Sequence, residues 1–127
     1  MKSLQTLILA LLFCGQFGMA QEKKSEDHKA EKQLTTYLIE REIPDAGKFT
    51  PADLQGISQK SCSVLKKMDA NKIQWIHSYV AENKIYCIYK AENEELLREH
   101  ASEGGFPINS VTVVSSVISP ETAGGLE

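Results

Sequence analysis

Two alternating runs of residues around a short polar link constrain the fold of this chain more than any other stretch. The segments "IQWIHSYVA" (73–81) and "IYCIYKA" (85–91) are rich in β-branched and aromatic residues, and only Glu82, Asn83 and Lys84 separate them. Runs of this composition joined by so short a link predict a β-hairpin. The chain therefore builds an antiparallel sheet, and the flanking segments decide how that sheet is covered.

A helical segment lies on each side of the hairpin. The segment "TPADLQGISQKSCSVLKKM" (50–68) begins with Thr50 as N-cap, Pro51 at the first helical position and Asp53 three residues after the cap. These are helix-start signals, including an acidic variant of the capping box. The segment "NEELLREHASEGG" (93–105) has an asparagine N-cap, acids in its first turn and two glycines at its end. We expect one helix before the hairpin and one after it.

Two further strands complete the predicted order. The segment "LTTYLIEREI" (34–43) is β-rich and is broken by Pro44, and "SVTVVSSVIS" (110–119) is ended by Pro120. The resulting order is βαββαβ, which predicts an α+β fold, the ferredoxin-like sandwich. In this fold two helices cover one face of a four-stranded antiparallel sheet.

The alternation of the hairpin assigns its side chains to two faces, provided that the link contains an even number of residues. The face under the helices then comprises Ile76, Ser78, Val80, Ile85, Cys87 and Tyr89. The open face comprises Trp75, His77, Tyr79, Tyr86, Ile88 and Lys90. On the first strand, Tyr37 and Ile39 point inward, whereas Leu38 and Glu40 lie on the open face. An odd-length link would reverse the assignment of the hairpin.

An open face that carries so many aromatic residues is best covered by a second copy of itself. Sheet-to-sheet pairing around a two-fold axis would make a homodimer with a shared interior lined by β-strands. Glu40 and His77 would then lie within that interior or at its edge.

The N-terminal region has a different character from this domain. The first residues have a single Lys2, an apolar run over 7–13 and a small-residue end at Ala20, which is typical of a secretory signal peptide. The run is too short to span a bilayer. The predicted organisation is a signal peptide (1–20), a charged flexible tether (21–33), a ferredoxin-like domain (34–123) and a disordered tail (124–127).

Export would change the net charge of the chain, which affects its partners, and the redox environment of its cysteines. Without the signal peptide the chain keeps 13 Lys and Arg against 17 Asp and Glu, a net charge of −4. This balance argues against nucleic acid and anionic membranes as partners, and we expect no stable membrane insertion after the signal is removed. A periplasmic or secreted location permits disulfides. A Cys62 to Cys87 bond is disfavoured, because Cys62 lies about 100° from the centre of its helix's apolar stripe.

Several short motifs resemble a known family. They are "ERE-P" (40–44), "W-HSYV" (75–80), "KIYCIY-A" (84–91), "LREHA" (97–101), "GFP" (105–107) and "ISPETA" (118–123). Together they resemble a family of small ferredoxin-like proteins, long known as a domain of unknown function, whose family name is nickel-binding protein. The likeness runs from about residue 37 to residue 123. It implies a dimeric ferredoxin-like fold and binding of a divalent transition metal, with no established enzymatic reaction.

The domain offers side chains that suit such a metal. Nickel and its neighbours in the divalent series take imidazole, thiolate and carboxylate ligands. The candidate metal ligands are His77, His100, Glu40 and Cys87. None of them falls in a close-spaced ligand motif, so a site would have to be assembled in three dimensions or between subunits.

Each candidate ligand also has a structural interpretation. His77 suits a hydrogen-bonded interface histidine, and His100 suits packing or capping near the end of its helix. Cys87 suits a small buried apolar side chain. Glu40 suits a rim carboxylate satisfied by Arg41, Lys90 or water.

The function that these observations favour is an exported protein that binds a divalent, nickel-type metal for sequestration or buffering rather than catalysis. One alternative is a dimeric α/β-barrel enzyme, in which His77 with Tyr79 or Glu40 handles protons on a small organic substrate. The other alternative is a non-catalytic interaction module.

Overall fold

The computed structural model describes residues 32–124. The predicted signal peptide, nearly all of the predicted tether and residues 125–127 of the predicted tail lie outside the described residues. The elements are β1 (Thr35–Glu42), α1 (Pro51–Leu65), β2 (Ile73–Val80), β3 (Lys84–Ala91), α2 (Glu94–Gly104) and β4 (Ser110–Val113). Short 3-10 helices cover Ala46–Lys48 and Pro120–Ala123. The predicted βαββαβ order is confirmed.

The four strands form one antiparallel sheet in the order β2-β3-β1-β4. The inner strands β1 and β3 pair along their whole length, from Thr35 opposite Ala91 to Glu42 opposite Lys84. The buried side chains of the sheet lie on the face that α1 and α2 cover, where they pack against the buried side chains of the helices. The fold is therefore the predicted ferredoxin-like sandwich with an open second face.

The core lies between this covered face and the two helices. Its buried apolar members include Tyr37, Ile39, Ile73, Ile85, Cys87, Tyr89, Ala91 and Leu97. Ile39 and Leu97 have no exposed surface. Burial of each such side chain contributes about 1.5–3 kcal/mol. As predicted, Tyr37 and Ile39 point inward.

The helix ends follow the predicted capping chemistry. The Asp53 backbone N–H donates to Thr50 Oγ1 over 3.2 Å, and the Thr50 N–H donates to Asp53 Oδ2 over 2.9 Å. Asn93 Oδ1 accepts a bond from the Leu96 N–H, and Gly105 ends α2 with a φ of 69°. A left-handed φ at this position favours glycine.

A β-bulge in β2 corrects part of the predicted facing. The pairing of β2 with β3 is as predicted from Val80, opposite Ile85, to His77, opposite Ile88. The next residue of β3, Tyr89, lies opposite Trp75 rather than Ile76. Ile76 is therefore an extra residue, and the facing of the strand before it is reversed. Trp75 joins the covered face, where its Nε1–H donates to Ser78 Oγ, and Ile76 is exposed. The remaining predicted facings of the hairpin are confirmed.

The fourth strand is shorter than predicted, because it ends at Val113 rather than at Ser119. Its antiparallel partner β1 begins at Thr35, and the last backbone bond runs from the Val114 N–H to the Thr36 carbonyl. Within residues 32–124, only Thr35 of β1 lies beyond that point, so the rest of the predicted strand has no partner there. Val117 and Ile118, which the valine-rich pattern suggested for the strand, are exposed.

A buried imidazole joins the two helices. His100 on α2 has no exposed surface, and its Nε2 lies 3.2 Å from Ser61 Oγ on α1. Its ring stacks on Phe106 at 5.6 Å and lies 5.4 Å from the Tyr89 ring. Burial lowers the pKa of His100, and the nearby Arg41 charge lowers it further. His100 is therefore a neutral packing residue at neutral pH.

The capping box gives a first prediction. Replacement of Thr50 by alanine removes the acceptor for the Asp53 N–H and should lower the free energy of unfolding by about 1 kcal/mol. Ser63→Ala on the same helix is the control, because the exposed Ser63 hydroxyl bonds only its own helix backbone among the described residues. Urea denaturation at pH 7 measures both. Equal stabilities of the two variants would contradict a stabilising role for the cap.

The neutral His100 makes stability depend on pH. Its pKa in the folded chain lies below the ordinary value of 6.5. Its contribution is therefore fully present above that ordinary value and is lost as the pH falls through the folded pKa, because the unfolded chain binds the proton first. In urea denaturation, the wild type should lose more stability than His100→Gln between pH 7.5 and pH 5.5. The difference should be at most about 1.4 kcal/mol, because only the one pH unit below 6.5 contributes.

The control for this prediction is His77→Gln, which makes the same substitution at an exposed histidine and leaves His100 in place. The comparison uses the change with pH in each variant, so it does not require equal stabilities at pH 7.5. Direct titration of the His100 ring in the wild type by NMR gives a second measure. A ring that titrates at or above 6.5 would contradict the assignment.

Candidate functional site

The open face of the sheet carries two adjacent cross-strand rows of side chains. One row comprises Tyr79, Tyr86, Glu40 and Ser110, and the next comprises His77, Ile88, Leu38 and Thr112. Neighbouring strands lie about 4.8 Å apart. The sheet register thus places the predicted residues Glu40 and His77 on the same face, two strands apart and in adjacent rows.

Glu40 is held in an ionised, hydrogen-bonded state. Its Oε2 accepts a bond of 2.7 Å from Ser110 Oγ, and its Oε1 lies 3.3 Å from Lys84 Nζ. Hydrogen bonds from Ser110 and Lys84, together with the Lys84 charge, lower the pKa of Glu40. The cation beside it is therefore Lys84, not Arg41 or Lys90. Arg41 follows Glu40 in an extended strand and faces the other side of the sheet.

His77 is exposed and is oriented by a neighbouring phenol. Its Nε2 lies 3.1 Å from the Tyr79 hydroxyl oxygen. The two rings meet edge to face, with centroids 5.0 Å apart and an interplanar angle of 81°. Because Tyr79 is 62% exposed, the pair forms an accessible polar feature on an otherwise largely apolar part of the face.

The other two predicted ligands lie on the covered face. Cys87 is buried under the helices, and His100 is enclosed by Ser61, Tyr89 and Phe106. The sheet separates this pair from Glu40 and His77. Within residues 32–124, no three His, Cys, Asp or Glu side chains come together to hold a metal ion. One protomer therefore does not unite the four candidates in a single site. The two cysteines in the described part of the chain are free thiols, Cys62 exposed and Cys87 buried.

A cavity of about 150 Å³ lies between α1 and the covered face of the sheet, where the sequence reasoning placed no site. Its walls are mainly apolar and include Leu54, Ile57, Trp75 and Phe106, with the hydroxyls of Ser61 and Ser78 among them. The alternative of a barrel enzyme requires a pocket lined by His77, Tyr79 and Glu40. This cavity lies on the other side of the sheet from those three residues.

Arg41 is the charged residue of this cavity. It is 4% exposed, its Nη1–H donates to the Pro107 carbonyl over 2.7 Å, and its guanidinium carbon lies 5.4 Å from the centre of the Phe106 ring. Its Nη2 is buried without a hydrogen-bond partner among the described residues. Burial raises the pKa of the neighbouring Tyr89, and the Arg41 charge partly offsets this. The sequence did contain a signal for this position. Arg41 follows Ile39 by two residues in the same strand, so it alternates to the inward face that Tyr37 and Ile39 occupy.

None of the helices in the described part of the chain has the length and apolar character needed to cross a membrane.

Comparisons with known proteins agree with this architecture. The structure is similar to the crystal structure of SCO4226 from Streptomyces coelicolor A3(2), with a TM-score of 0.55 at 14% sequence identity. The similarity covers 65% of this chain and 99% of that chain. At this identity the likeness shows the fold.

No curated protein matches the chain at a significant level. The model of one protein family matches residues 37–114, from within β1 to just beyond β4. This match covers more than half of the chain, which therefore belongs to the SCO4226-like family of nickel responsive proteins.

Proposed function

We propose that this protein is an exported binding protein for a divalent transition metal of the nickel type. The ion would be bound on the open face of the sheet, between two copies of the chain, and held for sequestration or buffering. The observation that carries the proposal is the family match over residues 37–114, whose description names nickel responsiveness. The accessible imidazole of His77 on the open face supports this location.

The donor count supports a site shared between copies. Imidazole and carboxylate are suitable ligands for nickel, and one copy presents His77 and Glu40 on its open face. Two donors are fewer than a stable site requires, and the described residues of one copy contain no group of three. A two-fold axis through the open face would add the same donors from the partner, because symmetric pairing presents the same patch twice.

The apolar members of the open face support the pairing of copies. Leu38, Tyr86 and Ile88 are half-buried in one copy, and Tyr79 is exposed. A second sheet packed on them would exclude water from this surface, which is the usual driving force for association. His77 lies in the same row as Leu38 and Ile88, so pairing of the faces would bring it close to the interface.

Within this site we assign His77 as the primary ligand and Glu40 as a secondary one. Glu40 already accepts hydrogen bonds from Ser110 and Lys84, so a metal ion would compete with Lys84 for its carboxylate. We do not assign His100 or Cys87 to the site, because the helices cover both.

A nickel titration separates these roles. Calorimetry on the mature protein should show that His77→Ala weakens nickel binding by about tenfold or more, whereas His100→Gln leaves the affinity within about twofold of the wild type. Lys84→Met should strengthen binding if Glu40 is a ligand, because the competing cation is removed. Glu40→Gln should weaken nickel binding, because it replaces a charged carboxylate ligand by a neutral amide.

The outcome that would overturn the site assignment is unchanged nickel binding in His77→Ala. Absence of nickel binding by the wild type would overturn the proposed function itself, and an interaction module would then be the better description. Sedimentation of the same samples tests the shared site, because nickel should increase the dimer fraction of the wild type but not that of His77→Ala.

Export is tested separately from metal binding. The proposed cleavage follows Ala20, so protein recovered from the exported fraction should begin at Gln21 and should have the intact mass of residues 21–127. Ala20→Trp places a large residue next to the cleavage point and should leave the precursor uncleaved. Recovery of wild-type protein from the cytoplasm with residues 1–20 still attached would contradict export.

A further inference from the structure

We propose that the cavity between α1 and the covered face of the sheet is a binding site for a small monocarboxylate with a compact apolar body, such as a small aromatic or branched-chain acid. In this site the carboxylate meets the guanidinium of Arg41 and the apolar body fills the space beside Trp75. The site lies on the opposite side of the sheet from His77 and does not depend on metal binding.

The charge of Arg41 carries the inference. A guanidinium stays protonated in proteins, and its planar set of donors matches a carboxylate. In residues 32–124, Arg41 donates to the Pro107 carbonyl, contacts the Phe106 ring and lies close to Tyr89, and its Nη2 has no hydrogen-bond partner. No acidic side chain in that part of the chain forms an ion pair with it. A buried cation without a counter-charge is costly, and an anionic ligand would remove that cost.

Two ionisable residues near Arg41, Tyr89 and His100, do not supply the missing negative charge. Burial raises the pKa of Tyr89, which favours the neutral phenol at neutral pH. Burial and the Arg41 charge lower the pKa of His100, so its ring is neutral at neutral pH. Ser61, whose hydroxyl contacts the His100 ring, is uncharged. These residues therefore leave the positive charge of Arg41 uncompensated inside an apolar layer.

The size and walls of the cavity select the class of anion. A volume of about 150 Å³ is close to that of apolar cavities that accept a molecule the size of benzene. Leu54, Ile57, Trp75 and Phe106 form apolar walls, and Arg41 is the one cationic residue of the lining. These features suit one negative charge on a compact apolar body better than a phosphate or a dicarboxylate, which would need more donors.

A free hydroxyl hydrogen and an exposed lining residue favour an oxygen ligand that enters from the surface. Ser78 Oγ accepts a bond from Trp75 Nε1–H at 2.9 Å, so the Ser78 hydroxyl hydrogen is available to a ligand oxygen. Val80 lines the cavity and is 42% exposed, so the cavity lining reaches the surface at the end of β2.

The test uses the fluorescence of Trp75, which lines the cavity and is the single tryptophan of the chain. The mature protein is titrated with benzoate and 3-methylbutanoate and, as neutral controls of the same shape, with benzamide and 3-methylbutanamide. At least one acid should bind about tenfold or more tightly than its amide, as a charge-assisted hydrogen bond predicts. The Arg41 Nε–H resonance should shift during the same titration in NMR spectra.

Arg41→Met should abolish the preference for the acid over the amide, whereas Arg98→Met should keep it. Arg98 is a matched control, because it is an exposed arginine on α2 that is paired with Glu94. Leu54→Phe reduces the volume of the cavity and should weaken the binding of both the acid and the amide. This variant keeps the test decisive if Arg41→Met does not fold.

Two outcomes would overturn the proposal: equal affinity for acid and amide, or no binding of either acid up to about 10 mM, since an affinity weaker than that is negligible.

Discussion

The pairing of β1 with β3 is the constraint on which the rest of this structure depends. It extends over eight residues of each strand and sets which side chains lie under the helices and which lie on the open face. Ile39 and Cys87 are opposed within the core, and the next pair, Glu40 and Tyr86, is opposed on the other side. Because side chains alternate along a strand, a slip of one residue would exchange the two faces and bury the Glu40 carboxylate.

The two faces carry different chemistry as a result. On the open face, His77 and Glu40 are accessible polar groups among apolar neighbours, in an arrangement that a second copy would complete. On the covered face, Arg41 and Tyr89 line a cavity in the same layer as the core, and the buried His100 ring lies beside Tyr89. The candidate ligands divide between these environments because Glu40 and Cys87 alternate to opposite sides of paired strands. Metal binding and anion binding would therefore be independent activities of one sheet.

Much of the fold could be predicted from the sequence, because its signals are local. Capping residues such as Thr50 act within one helical turn, and alternation in the hairpin is read from neighbouring residues. The bulge at Ile76 was missed because an extra residue leaves the composition of the strand unchanged while it reverses the facing of Trp75. The early end of β4 depends on where β1 begins. Glu40 and His77 could be placed on one face, but the cavity beside Arg41 could not be predicted, since α1 and three strands form it together.

The proposed metal site lies on the open sheet face and joins His77 to a second copy of the chain. The most direct measurement is anomalous diffraction at the nickel edge from crystals of the mature protein grown with nickel. We expect an anomalous peak on the open face from a nickel ion bonded to an imidazole nitrogen of His77 and to donors from two copies. A nickel ion bonded away from His77, or one bound on the covered face at His100 or Cys87, would contradict it.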